Sequence, residues 1–150
     1  MSAGGKKFSP ANPLLMKKCY NEMTDQVQYW VELSEYDIET AQAMLKSKRY
    51  LYVGFMAHQS VEKILKACYV ESNGKPAPFS HSLSYLAKKA DIYDAFSEEQ
   101  QLFIDMLEPM NIECRYPTHK EQLMRSLTEE RCKAILANAK ELQQWIKKRL

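Results

Sequence analysis

The chain has 150 residues, 45% of them hydrophobic, with 21 basic and 19 acidic side chains and a formal net charge of +2. That length fits one domain around one core rather than a multidomain enzyme. The charge is too small to make the whole surface bind nucleic acid, and charged or polar residues interrupt every apolar run well short of a bilayer span, so no membrane insertion and a cytoplasmic protein are expected.

Residues 1–22 read as a flexible or loosely docked N-terminal arm, because Gly4, Gly5, Pro10 and Pro13 leave little periodicity. Lys6 and Lys7 are followed by no apolar core with a small-residue cleavage site, so secretion is not expected. The first 20 residues hold four lysines and no acid; setting them aside leaves 17 basic against 19 acidic residues. Any phosphate contact on the folded body therefore needs a local patch, which a dimer would double.

The domain is expected over residues 23–150 as an all-α, five-helix up-and-down bundle with antiparallel long helices and a shorter connecting helix. Val31, Ser34, Ile38, Ala41 and Leu45 recur at helical spacing behind Thr24, a candidate N-cap. Tyr50 opens a second long helix with Val53, Ala57, Val61, Ile64 and Cys68 on one side, ended by Gly74, Pro76 and Pro78. Ser80 is the candidate cap of a short helix through Leu83, Leu86 and Ala87. Ser97 and Gln100 have the spacing of a capping box for a helix through Leu102, Phe103, Met106 and Met110, with Pro109 distorting or ending its last turn. Residues 113–127 read as connection. Thr128 then caps a last helix, acidic at its start and built on Cys132, Ile135, Leu136, Ala139, Leu142 and Ile146. No segment carries a comparable strand signal.

The residues that could carry chemistry are few. Cys19, Cys68, Cys114 and Cys132 form no CxxC or Cys/His pattern, so no disulfide framework, metal or other cofactor is expected. His58 and Glu62, Gln59 and Lys63, and Glu62 and Lys66 are each four apart and share a helical face. Their simplest use is a Glu62–Lys66 ion pair, with His58 and Gln59 hydrogen-bonded beside the bundle or a dimer seam. Lys63 and Lys66 are also candidate phosphate contacts. His81 lies at a helix start, on the surface or facing a cleft between the second and third helices. Arg115 and His119 flank Tyr116 and Pro117: an arginine can clamp a phosphate, and a histidine can take a proton from a ribose 2′-hydroxyl near neutral pH. Pro117 breaks the helical register that would otherwise put both on one face. One chain supplies one of each, so a full cleavage site would need two copies side by side.

Taken in order, Trp30 with Asp37 and Ala41, then Tyr50, Phe55, His58-Gln59-Ser60, Glu62-Lys63 and Leu65-Lys66-Ala67, then His81-Ser82-Leu83 with Leu86, and finally Arg115-Tyr116-Pro117, resemble the HEPN family of helical-bundle proteins. The resemblance runs from about Thr24 to Leu150. It implies dimerisation, a link to RNA or nucleotides, and for some members a toxin role beside a nucleotidyltransferase-like antitoxin. It also implies that active members are metal-independent ribonucleases with an arginine, a polar residue and a histidine after four to six intervening residues. Here only three residues separate Arg115 from His119. The leading expectation is therefore an RNA- or nucleotide-linked binding or partner module; an endoribonuclease with a composite Arg115/His119 site and a noncatalytic structural interaction module are the alternatives.

Overall fold

The computed structural model describes residues 12–150. Helix α1 spans Pro13–Lys46, and α2 spans Tyr50–Asn73. Three residues join them, and Lys48 takes the left-handed conformation at φ 59° that so tight a turn requires. At the far end of α2, Gly74 sits at φ 61° and returns its N–H to the Val70 carbonyl, the cap that glycine adopts without a Cβ penalty. The short turn makes the two helices antiparallel. Between them Ser34 Oγ donates to the Ser60 carbonyl at 2.7 Å and Ser60 Oγ donates to the Ser34 carbonyl at 2.8 Å, all of it buried.

Helix α1 begins earlier than expected. Asn12 accepts from Leu14 N at 3.0 Å and Pro13 occupies the first turn, so Thr24 lies within the helix and bonds back to the Tyr20 carbonyl. Of the expected arm, residues 1–11 lie outside the described residues, and the remainder forms the exposed first turns of α1.

The segment after α2 is more divided than expected. It contains α3 (Leu83–Lys89), a 310 turn (Tyr93–Ala95), α4 (Glu98–Leu107), the single turn α5 (Met110–Glu113) and α6 (Lys120–Ser126), before α7 (Glu129–Lys147). The bundle is all-helical among the described residues, with more helical segments than five. Ser82 rather than Ser80 caps α3, accepting from Tyr85 N. Glu108 reinforces that cap, since its carboxylate accepts from Leu83 N at 2.9 Å and Ser84 N at 3.3 Å. The Ser97/Gln100 capping box and the Thr128 cap form as expected. Pro109 does end α4, and α5 starts directly after it. Helix α6 replaces part of the expected connection because Leu123 packs against the core and Leu127 is fully buried beneath it.

Helix α7 starts beside the start of α2, where Cys132 Sγ lies 3.8 Å from the Tyr50 carbonyl, and ends beside α1, where Lys147 pairs with Glu35. It therefore runs against α1 and completes a three-helix frame whose inner face carries Val53, Ala57, Val61, Ile64, Ile135, Ala139 and Ile146. The shorter helices cover one side of that frame. The approach is close at Gly54, where an added Cβ would stand 2.9 Å from Met110 Sδ and 3.1 Å from Cys114 Sγ. Gly54→Val is accordingly expected to cost about 1–3 kcal/mol through overpacking, read as a lowered thermal midpoint. A midpoint equal to wild type would mean that α5 gives way freely.

Candidate functional site

The site is built around one buried carboxylate. Glu62, on α2, is 3% exposed, and its two oxygens take Lys66 Nζ at 2.9 Å and His81 Nδ1 at 3.1–3.2 Å. A carboxylate only accepts, so His81 donates Nδ1–H and presents Nε2 outward from an imidazole that is 66% exposed. The position of His81 follows from the Glu108 and Ser82 caps, which fix the start of α3. Lys66 is almost wholly buried and also lies over the Trp30 ring, 5.2 Å from its centroid. The i,i+4 pairing of Glu62 with Lys66 is thus formed.

His58 lies one turn before Glu62 and is fully buried, with Nδ1 3.7 Å from the carboxylate and neither ring nitrogen hydrogen-bonded. Burial pushes its pKa down to about 4; Glu62 and the neighbouring His81 backbone oppose that shift, while the charges of His81 and Arg115 add to it. Lys63 turns the other way and pairs with Asp37 of α1 at 2.5 Å. Burial raises the Asp37 carboxyl above its ordinary value, against the pull of Lys63. Both candidate phosphate lysines therefore already hold carboxylates.

Arg115 is arranged differently. Its Nε donates to the Asn111 carbonyl at 2.8 Å, and its guanidinium lies 5.2 Å from the Phe55 ring centroid and 5.4 Å from that of Tyr116. Asn111 is buried and receives Gln59 Nε2 on its side-chain oxygen at 3.1 Å, which ties the α5 turn to α2. Among the described residues no carboxylate pairs with Arg115, which is exposed.

His119 is exposed at the start of α6 and makes no cap bond. With Tyr116 and Pro117 it lines an open cleft of about 550 Å³, which does not include Arg115. The sequence thus placed Arg115 and His119 close along the chain, and the fold gives them different surroundings. The charges of Arg115 and His81, by contrast, both help to lower the His58 pKa. Asn111 and Glu108 were not among the residues expected to form a site, and Asp37 and Ser60 entered only through the family resemblance. The one sequence signal for Asn111 is its position four residues before Arg115.

Several chemistries lack their groups. Burial pushes the Cys68, Cys114 and Cys132 thiols up to about 11, so none supplies a thiolate near neutral pH. No three His, Cys, Asp or Glu side chains among the described residues are placed to hold a metal ion, and no described helix is long and apolar enough to cross a membrane.

Comparison with curated proteins gives no match. Among solved structures, the crystal structure of TT1696 from Thermus thermophilus superposes with a TM-score of 0.72 at 20% sequence identity, covering 83% of this chain and 98% of that one. At that identity the likeness is one of fold. The family model of the HEPN domain matches residues 27–150, which takes in every element from the middle of α1 through α7. The chain belongs to the HEPN-domain family.

Proposed function

We propose that the protein is an RNA- or nucleotide-phosphate binding module, working as a homodimer in a partner system of the toxin–antitoxin kind with a nucleotidyltransferase-like protein. The observation that carries this reading is Arg115: an exposed guanidinium, oriented through Nε by a backbone carbonyl, flanked by two aromatic rings and paired with no acid among the described residues. Such a group can grip a phosphate while the rings offer faces to a base. Lys63 and Lys66 support it less, because Asp37 and Glu62 neutralise them.

Metal-independent endoribonuclease activity is the second reading. It draws support from His81, an exposed imidazole oriented by the Glu62 carboxylate, and from the cleft that His119 lines. In that case a histidine removes the 2′-hydroxyl proton, the 2′-oxygen attacks the phosphate that Arg115 clamps, and the 5′-oxygen leaves with a proton, giving a 2′,3′-cyclic phosphate.

Fluorescent single-stranded RNA is titrated with the purified chain at several salt concentrations and with a chelator present. Binding that weakens with salt, reduced about tenfold in Arg115→Ala and without new RNA ends, is the expected result. Cyclic-phosphate products lost in Arg115→Ala and in His119→Ala or His81→Ala would replace it with the nuclease. Binding no tighter than to a neutral control protein would leave a structural interaction module.

A further inference from the structure

A second surface, away from the Glu62 cluster, has the composition of a polynucleotide track. The α1–α2 turn places Lys48 and Arg49 beside Tyr52 and, from the start of α6, Lys120, around a cleft of about 220 Å³. Arg49 and Tyr52 also line a neighbouring cleft of about 480 Å³ that reaches Phe55. Phe55 is the ring under the Arg115 guanidinium, so cations and aromatics continue from Lys120 to Arg115 across one face.

The cations on this face, Lys48, Arg49 and Lys120, are exposed and form no ion pairs among the described residues. Of the acids nearest in sequence, Glu121 on α6 pairs with Arg125 at 3.6 Å and Glu129 at the start of α7 with Lys133 at 3.7 Å. Glu129 also bears on the Tyr50 hydroxyl at the cleft, and Glu130 forms no ion pair among the described residues. Tyr52 is half exposed, with its ring between the two clefts. Three free cations set against an accessible aromatic face match a negatively charged backbone whose bases can leave their stack. A duplex offers phosphates but keeps its bases stacked, so it would use the cations and not the ring.

We infer that Lys48, Arg49 and Lys120 carry the phosphates of a single-stranded RNA segment and that Tyr52 stacks one of its bases, extending the Arg115 contact along the α1–α2 turn. This rests on the reading of the protein as an RNA-linked binding module. It adds the strand's path, the requirement for single-strandedness and a set of residues independent of Arg115.

The test compares wild type, Arg49→Glu/Lys120→Glu, Tyr52→Ala and Arg115→Ala in the same titration, using a mixed-sequence single-stranded RNA and its duplex form. Both glutamates would sit at helix starts, where the macrodipole favours negative charge, so the double variant should fold; a thermal melt checks this. The double variant is expected to bind single-stranded RNA at least tenfold more weakly, with a log–log salt slope shallower by about 1.4, two phosphate contacts at about 0.7 each. Tyr52→Ala should weaken single-stranded binding about tenfold and leave duplex binding unchanged. A folded double variant with wild-type affinity and slope, alongside an Arg115→Ala variant that has lost binding, overturns the track while leaving the binding module standing. Equal effects of Tyr52→Ala on both RNA forms remove the stacking step, and a wild-type chain that binds neither form removes track and module together.

Discussion

Glu62→Ala should lower the unfolding free energy by about 3–5 kcal/mol, far more than an ordinary helix-surface pair is worth. The reason is what the change leaves behind. Lys66 is 8% exposed and its ammonium rests on the Glu62 carboxylate, so removing the acid strands a cation where water has little access. The Trp30 ring offsets only part of that loss. His81 loses its anchor in the same step. Adding Lys66→Met should restore most of the stability, because an apolar chain of similar length fills the space without a charge. Urea denaturation of the two single variants and the double variant closes the cycle. A Glu62→Ala cost below about 1 kcal/mol would show that Lys66 escapes to water, and the buried-hub description would be wrong.

Acidification is expected to remove about 3 kcal/mol of stability through His58 alone, as its protonation lags from an ordinary 6.5 to about 4 in the fold. The sign follows from proton counts. Between those two values the unfolded chain holds a proton that the folded imidazole refuses, so stability rises with pH across that window and is flat for this group above 6.5. The charged groups facing the ring act in both directions: Glu62 favours the imidazolium, whereas His81 and Arg115 oppose it. Asp37 contributes with the opposite sign, since a carboxyl raised from 3.8 loses stability as pH rises through its own window. Comparing wild type with His58→Leu therefore isolates the histidine. Denaturation midpoints from pH 4 to 8 should lie nearest one another above pH 6.5 and separate toward the acid end, where wild type loses stability that the leucine variant keeps; removing two nitrogens that have no partner adds a constant gain to the variant at every pH. Curves for the two proteins that run parallel over the whole range would show that His58 takes no part in the pH response.

What was legible in the sequence was local. Ser97, Thr128 and Gly74 mark helix ends through bonds to residues three or four positions away, and each does so here. The start of α1 was also written locally, in Asn12-Pro13, but its first turns face outward and lack the apolar period that made Thr24 look like the beginning. Helix α6 leaves little trace in the sequence because it is held by Leu123 and Leu127, two side chains one turn apart, and His119 gives it no cap. The same division runs through the site. Glu62 and Lys66 could be paired from spacing alone. Lys63 with Asp37, Gln59 with Asn111 and the capping of α3 by Glu108 depend on how helices register against one another, which no window of sequence contains. Arg115 and His119 show the converse, since nearness along the chain did not give them one cleft.

The reciprocal bonds between Ser34 and Ser60 set a mechanical condition on the molecule. Sliding α1 along α2 by one turn, about 5.4 Å, would strip both hydroxyls of their acceptors at a depth where no solvent replaces them. The pair therefore resists shear and moves as a single bar. A load applied to the exposed first turns of α1 is carried along that bar to the level of Glu62 and Lys63 instead of being absorbed between the helices.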